Sequence, residues 1–172
     1  MKSTSTKFLK IKSLLPKTGI IAAALVLSTP AAADLQVAAM TDGIGANSLL
    51  AGNIERAGKL LPNQVSRRLT YMDANNLCVL QILQNHEAAA VSFCQKALWK
   101  LKTTSMKRRA KTAIIAELYN NLAVAQYLAG DRAEAERNLG MALSYVDLAN
   151  EEANNAVLNQ LAFQRRNSLA AK

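Results

Sequence analysis

Residues 74–98 and 119–143 of this 172-residue chain are two copies of one pattern. ANNLCVLQILQNHEAAAVSFCQKAL laid without gaps on YNNLAVAQYLAGDRAEAERNLGMAL gives ten identities in 25 positions: an Asn-Asn-Leu, a Val, a Gln, a Leu, three alanines and the last Leu. LAGNIERAGKLL at 50–61 matches LAGDRAEAERNL at 128–139 through Leu-Ala-Gly, Ala57 and Leu61, and Asn154-Asn155 falls 34 residues after Asn120-Asn121. Self-similarity at such a period confines the chain to stacked supersecondary units, each burying its apolar face against the next.

The units are helical. Leu122, Ala123 and Tyr127 recur at helical spacing, as do Ala135, Leu139, Ala142 and Leu143 in the following stretch. Gly130 suits the left-handed residue that closes a helix, and Asp131 with Glu134 resembles a capping box opening the next. Aromatics make up only 5% of the chain although hydrophobic residues reach 51%, so alanine and leucine carry the core. That balance favours closely packed helices over sheet. Small residues such as Ala123 and Ala135 allow paired helices to approach.

This pattern resembles the tetratricopeptide repeat, a 34-residue helix–turn–helix. Tyr119 takes its aromatic place, Leu122-Ala123 its Leu-small pair, Gly130 its turn, and Ala135, Leu139 and Ala142 its second-helix seam. The second copy supplies Leu77-Cys78, a turn at Asn85, then Ala90, Cys94 and Ala97. The resemblance implies an all-α, right-handed helical solenoid of about three such repeats plus a C-terminal capping helix. It assigns 44–70 to a degenerate repeat, 71–105 and 106–149 to repeats and 150–172 to the cap, with 34–43 a loose N-terminus. The two clear copies stand 45 residues apart rather than 34. The extra 11 residues are about three helical turns, which lengthen the flanking helices to His86–Leu101 and Met106–Ala129. Thr103-Thr104-Ser105 is expected to break them and cap the next helix, and Pro62 to stop the first pair early.

Residues 1–33 read differently. Lys2, Lys7, Lys10, Lys12 and Lys17 precede an apolar run from Gly19 to Leu27, then Pro30 and Ala31-Ala32-Ala33. A basic start, a short apolar run and an A-x-A ending predict a secretory signal peptide cleaved between Ala33 and Asp34. The run is too short for a span of ~20 residues, so no stable membrane anchor is expected and the chain is placed in the periplasm or outside the cell. The remainder would hold 16 basic and 12 acidic residues, so the net charge falls from +9 to +4. The high pI is therefore partly a property of the leader, and no nucleic acid partner is expected.

No P-loop, G-x-S-x-G or H-E-x-x-H motif is present, and His86 is the only histidine. The chain reads as a non-enzyme, with neither cofactor nor metal. Two binding surfaces compete. Asn75, Val79 and Ile82 share one helical face, as do Asn120, Val124 and Tyr127, and Asn154, Leu158 and Leu161. By similarity to tetratricopeptide arrays these positions line a concave groove, where amides bond a peptide backbone and apolar neighbours bury its side chains. Val124 is then an open floor position. The alternative is an acid-free run, Lys96, Lys100, Lys102, Lys107, Arg108, Arg109 and Lys111, facing an anionic lipid or polymer. Cys78 and Cys94 occupy packing positions of two helices that this motif brings together, which predicts a disulfide in an oxidising compartment.

Overall fold

A computed structural model describes residues 6–11, 35–61 and 69–146. Its elements, in chain order, are β1 (Thr6–Ile11), β2 (Leu35–Met40), α1 (Ala46–Leu50), α2 (Ile54–Leu60), α3 (Tyr71–Leu83), α4 (Glu87–Thr103), α5 (Arg108–Leu128) and α6 (Arg132–Val146). The described chain is mostly helical, as expected.

Three helical hairpins, α1–α2, α3–α4 and α5–α6, close with one and the same turn. A left-handed residue follows each first helix: Gly52 (φ 71°), Asn85 (φ 57°) and Gly130 (φ 85°). The next residue donates its N–H back across the helix end, Asn53 to the Ser48 carbonyl (2.8 Å), His86 to Gln81 (2.9 Å) and Asp131 to Gln126 (2.9 Å). These bonds satisfy carbonyls the helix leaves orphaned. Asn53 and Asp131 then cap their second helices, accepting from the N–H of Arg56 (3.0 Å) and Glu134 (3.2 Å). The short matches read from sequence are therefore matches of turn chemistry.

Ala90, Cys94, Ala97 and Leu101 of α4, and Ala135, Leu139 and Ala142 of α6, are buried. Small residues dominate that seam, so α3 packs on α4, α4 on α5 and α5 on α6. The lengthened helices start and end within two residues of expectation. Their break works differently, however. Thr103 and Thr104 both donate their hydroxyls to the Lys100 carbonyl (2.9 Å each), which finishes α4. The cap of α5 is Lys107, whose side chain makes no capping bond, so Ser105 does not open the helix. Leu61, the residue before Pro62, is extended, as a residue preceding proline prefers; Pro62, Asn154, Leu158, the expected 150–172 cap, the 19–27 apolar run and the Ala33/Asp34 junction all lie outside the described residues.

Cys78 and Cys94 are joined, Cα atoms 5.1 Å apart, across the α3–α4 seam. Closing a 17-residue loop constrains the unfolded chain by ~3 kcal/mol on the chain-entropy model. Reductant is expected to lower the urea midpoint of the chain accordingly. A Cys78→Ala/Cys94→Ala chain, measured alongside, should not respond to it.

One expectation is overturned. Residues 35–40 are not a loose N-terminus: Leu35, Val37, Ala38, Ala39 and Met40 are buried, and β2 pairs antiparallel with β1 from Thr6↔Met40 to Ile11↔Leu35. The segment LQVAAM is almost wholly apolar, and it lies against α3 and α5. The resemblance supplies no element at this position, because a helical-repeat pattern describes only the units it repeats.

Candidate functional site

The site is the face of α3 and α5 on which β2 lies. It is built from asparagines, residues that favour caps and turns over helix interiors because their amides compete for backbone. Two consecutive ones in the middle of α3, and two more at the matching place in α5, therefore point to side-chain bonds elsewhere.

Those bonds go to the backbone of β2. Asn76 holds Met40 at both ends, accepting its N–H at Oδ1 (2.9 Å) and donating Nδ2 to its carbonyl (3.0 Å). Asn121 holds Ala38 in the same way, at 2.8 Å in each direction. Asn75 donates a second bond to the Ala38 carbonyl (2.8 Å), and Asn120 donates to that of Gln36 (3.1 Å). The rungs are tied to one another, Asn121 Nδ2 donating to Asn75 Oδ1 at 2.7 Å. An amide carries an acceptor oxygen and two donor hydrogens. Asn76 and Asn121 therefore each bond the N–H and carbonyl of one residue as a neighbouring strand would, while Asn75 and Asn120 only donate to a β2 carbonyl. The residues gripped, 36, 38 and 40, alternate along β2, so the asparagines act as a surrogate strand along one edge.

The strand's exit is fixed as well. Asp73, which closes the capping box of α3 by accepting from the N–H of the N-cap residue Thr70 (3.1 Å), also accepts from the Ile44 N–H (2.9 Å), and Asn76 donates to the Ile44 carbonyl (3.1 Å). A Cβ on Gly43 would lie only 2.6 Å from Asn76 Nδ2, which is held by its bonds to Met40 and Ile44, and 3.1 Å from the Met72 backbone, so this turn favours glycine.

Sequence reasoning nominated the first asparagine of each pair, Asn75 and Asn120, together with Val79, Ile82, Val124 and Tyr127. The structure brings these six to the two helices that contact β2. It makes Asn76 and Asn121, passed over in the sequence, the residues that clamp both the N–H and the carbonyl of one strand residue. The signal for them was available, since both members of the pair recur. Val79, Ile82 and Val124 are fully buried, so Val124 is not an open floor position; only Tyr127 is partly exposed. The space read as vacant is filled by the chain's own β2.

Tyr71, at the start of α3, has its phenol pKa raised by burial and then by the nearby carboxylates of Asp42 and Glu117; Tyr119, stacked on Tyr145 at 6.1 Å, is raised mainly by burial. A phenol harder to ionise folded than unfolded contributes stability that is whole below the unfolded value near 10 and fades as pH climbs through the folded one. Thermal unfolding is therefore expected to drop in midpoint above about pH 10. In Tyr71→Phe the drop should be shallower.

The basic run divides. Lys111 Nζ donates to the carbonyls of Lys102 and Thr104 (3.0 Å each), so it closes the C-terminus of α4 rather than facing a ligand. Lys102, Lys107 and Arg108 are exposed, and Lys96 and Lys100 are half-buried; the side chain of Arg109 lies outside the described set. Trp99, 62% exposed, sits among them with Lys100 Nζ 6.0 Å from its ring. His86, at an exposed turn, pairs through Nδ1 with Gln81 Oε1 (3.0 Å). No described helix is long and apolar enough to cross a membrane.

No protein-family model, no curated protein and no solved structure matches this chain.

Proposed function

We propose that the chain is a non-enzymatic polypeptide-binding module of the bacterial envelope, exported by cleavage after Ala33 and built as a short solenoid of tetratricopeptide-like helix pairs. One observation carries the reading: four buried asparagine amides on equivalent helices bond the backbone of an extended segment and ignore its side chains. This is the chemistry of holding polypeptide rather than of transforming a small molecule. The disulfide between Cys78 and Cys94 is compatible with an oxidising compartment.

A second reading has its own observation. An exposed Trp99 within a run of lysines, with the Lys100 ammonium near its ring, is the composition of a surface that docks on anionic lipid or polymer. Photo-crosslinking residues placed at Gln36 and at Trp99 separate the two. The module reading expects polypeptide adducts at Gln36 that persist in high salt. Adducts confined to Trp99 and lost as salt rises would replace it with the surface reading, because charge-driven contacts are screened.

A further inference from the structure

Successive residues of a strand turn their N–H and C=O groups to its two edges alternately. Since the groups of residues 36, 38 and 40 turn toward the asparagines, those of Val37 and Ala39 turn toward β1, where they meet Leu9 and Lys7. The inner edge of β2 is thus occupied by side chains of its own fold and the outer edge by a strand. That strand comes from far away in sequence. Twenty-three residues separate Ile11 from Leu35, whereas tight hairpin connections use two to five. Val37 and Ala39 are fully buried with β1 in place, so removing β1 opens their backbone groups as an unpaired strand edge, a template for another strand.

Resting on the polypeptide-binding reading, we infer that the outer edge of β2 is the place where a partner adds an extended antiparallel strand, residues 6–11 being its stand-in within the chain. The asparagines fix β2 so that the edge is presented ready-made, which removes the ordering cost of a free strand. The partner's chemistry follows from the occupant. Leu9, opposite Val37, is half-buried against the core, so the partner places an apolar side chain there. Lys7, opposite Ala39, is exposed, so that position tolerates a polar or charged residue. Proline is excluded at both, because each must donate an N–H to the ladder. Export with cleavage after Ala33 would strip β1 from the edge and leave β2 on its asparagines, converting a closed precursor into an open receptor.

The test uses the full chain and a labelled peptide of residues 5–12, read by fluorescence anisotropy. Leu9→Pro removes the N–H that pairs with Val37 and should free the edge. Lys10→Pro removes one that faces away from β2 and should not. A tethered strand competes at an effective concentration of roughly millimolar, so the peptide is expected to bind Leu9→Pro at least about tenfold more tightly than wild type or Lys10→Pro. A Leu9→Pro chain with native helical content that binds no better than wild type overturns the inference. Should that variant not fold, a wild-type chain cut at a protease site inserted after Lys17 gives the same comparison. Exchange of the released fragment for labelled peptide supports the site, and a fragment that never exchanges overturns it. Polypeptide adducts at Gln36 alongside either negative result would leave the module reading standing and remove only this docking mode.

Discussion

Replacing Asn121 with leucine is expected to cost about 4 kcal/mol, and the same change at the adjacent Asn120 about 1 kcal/mol or less. The estimate follows from counting the groups left without partners, at ~1–3 kcal/mol for each buried one. Asn121 is 0% exposed and makes three bonds. Its loss strands the Ala38 N–H and the Asn75 Oδ1, both deep in the structure, while the Ala38 carbonyl keeps its bond from Asn75. Asn120 makes one bond, to the carbonyl of half-exposed Gln36, where water can substitute. Its buried Oδ1 has no partner among the described residues, so leucine there also removes an unsatisfied atom. In a small domain worth ~5–15 kcal/mol, the larger loss should bring the urea midpoint down by ~2 M. Urea titrations of the two variants side by side decide the matter. Equal effects would mean that β2 is not held by its asparagines and that the surrogate-strand description fails.

The contrast between those neighbours also marks where the sequence was legible. The hairpins could be read because each turn writes its chemistry in one or two residues: Gly52, Asn85 and Gly130 for the left-handed position, Asn53 and Asp131 for the cap. Cys78 and Cys94 could be paired because the two seams repeat in register. Strand β2 could not, since Leu35 to Met40 carries no turn signal and no alternation. It is apolar on both faces because both are covered, and a short apolar run bounded by little else has no period to read. The site suffered from the same omission. Asn75, Val79 and Asn120 were found as the residues of one surface, but periodicity reports which side chains share a face and says nothing of what lies upon it. A vacant groove and a filled one have the same helical pattern. The pairing of β1 with β2 was out of reach for a further reason: TKFLKI sits in a lysine-rich start that reads as a leader rather than as part of the fold, and pairing across 23 residues leaves no local trace.

Val124 shows how far this changes an expectation. As an open floor position it should accept lysine with little loss of stability. In the structure it is 0% exposed, part of one core cluster with Val37, Ala39 and Val79. An ammonium there has no room to reach water without lifting β2, so the folded state would hold the amine neutral. Deprotonating a lysine of ordinary pKa, about 10.4, at pH 7 costs about 4.6 kcal/mol, before any strain from the longer side chain. Val124→Lys is therefore expected to lose at least about 5 kcal/mol at pH 7. The sign of its pH dependence is diagnostic. A base whose folded pKa is depressed binds more protons unfolded than folded, so stability rises with pH until the unfolded value near 10. Between pH 7 and pH 9 the variant should regain ~1.4 kcal/mol per unit relative to wild type. Trp99→Lys, at an exposed position, should show neither the loss nor the slope. Chemical unfolding at pH 7, 8 and 9 measures both quantities. A Val124→Lys chain as stable as wild type, with no such slope, would return Val124 to an open groove and place β2 elsewhere.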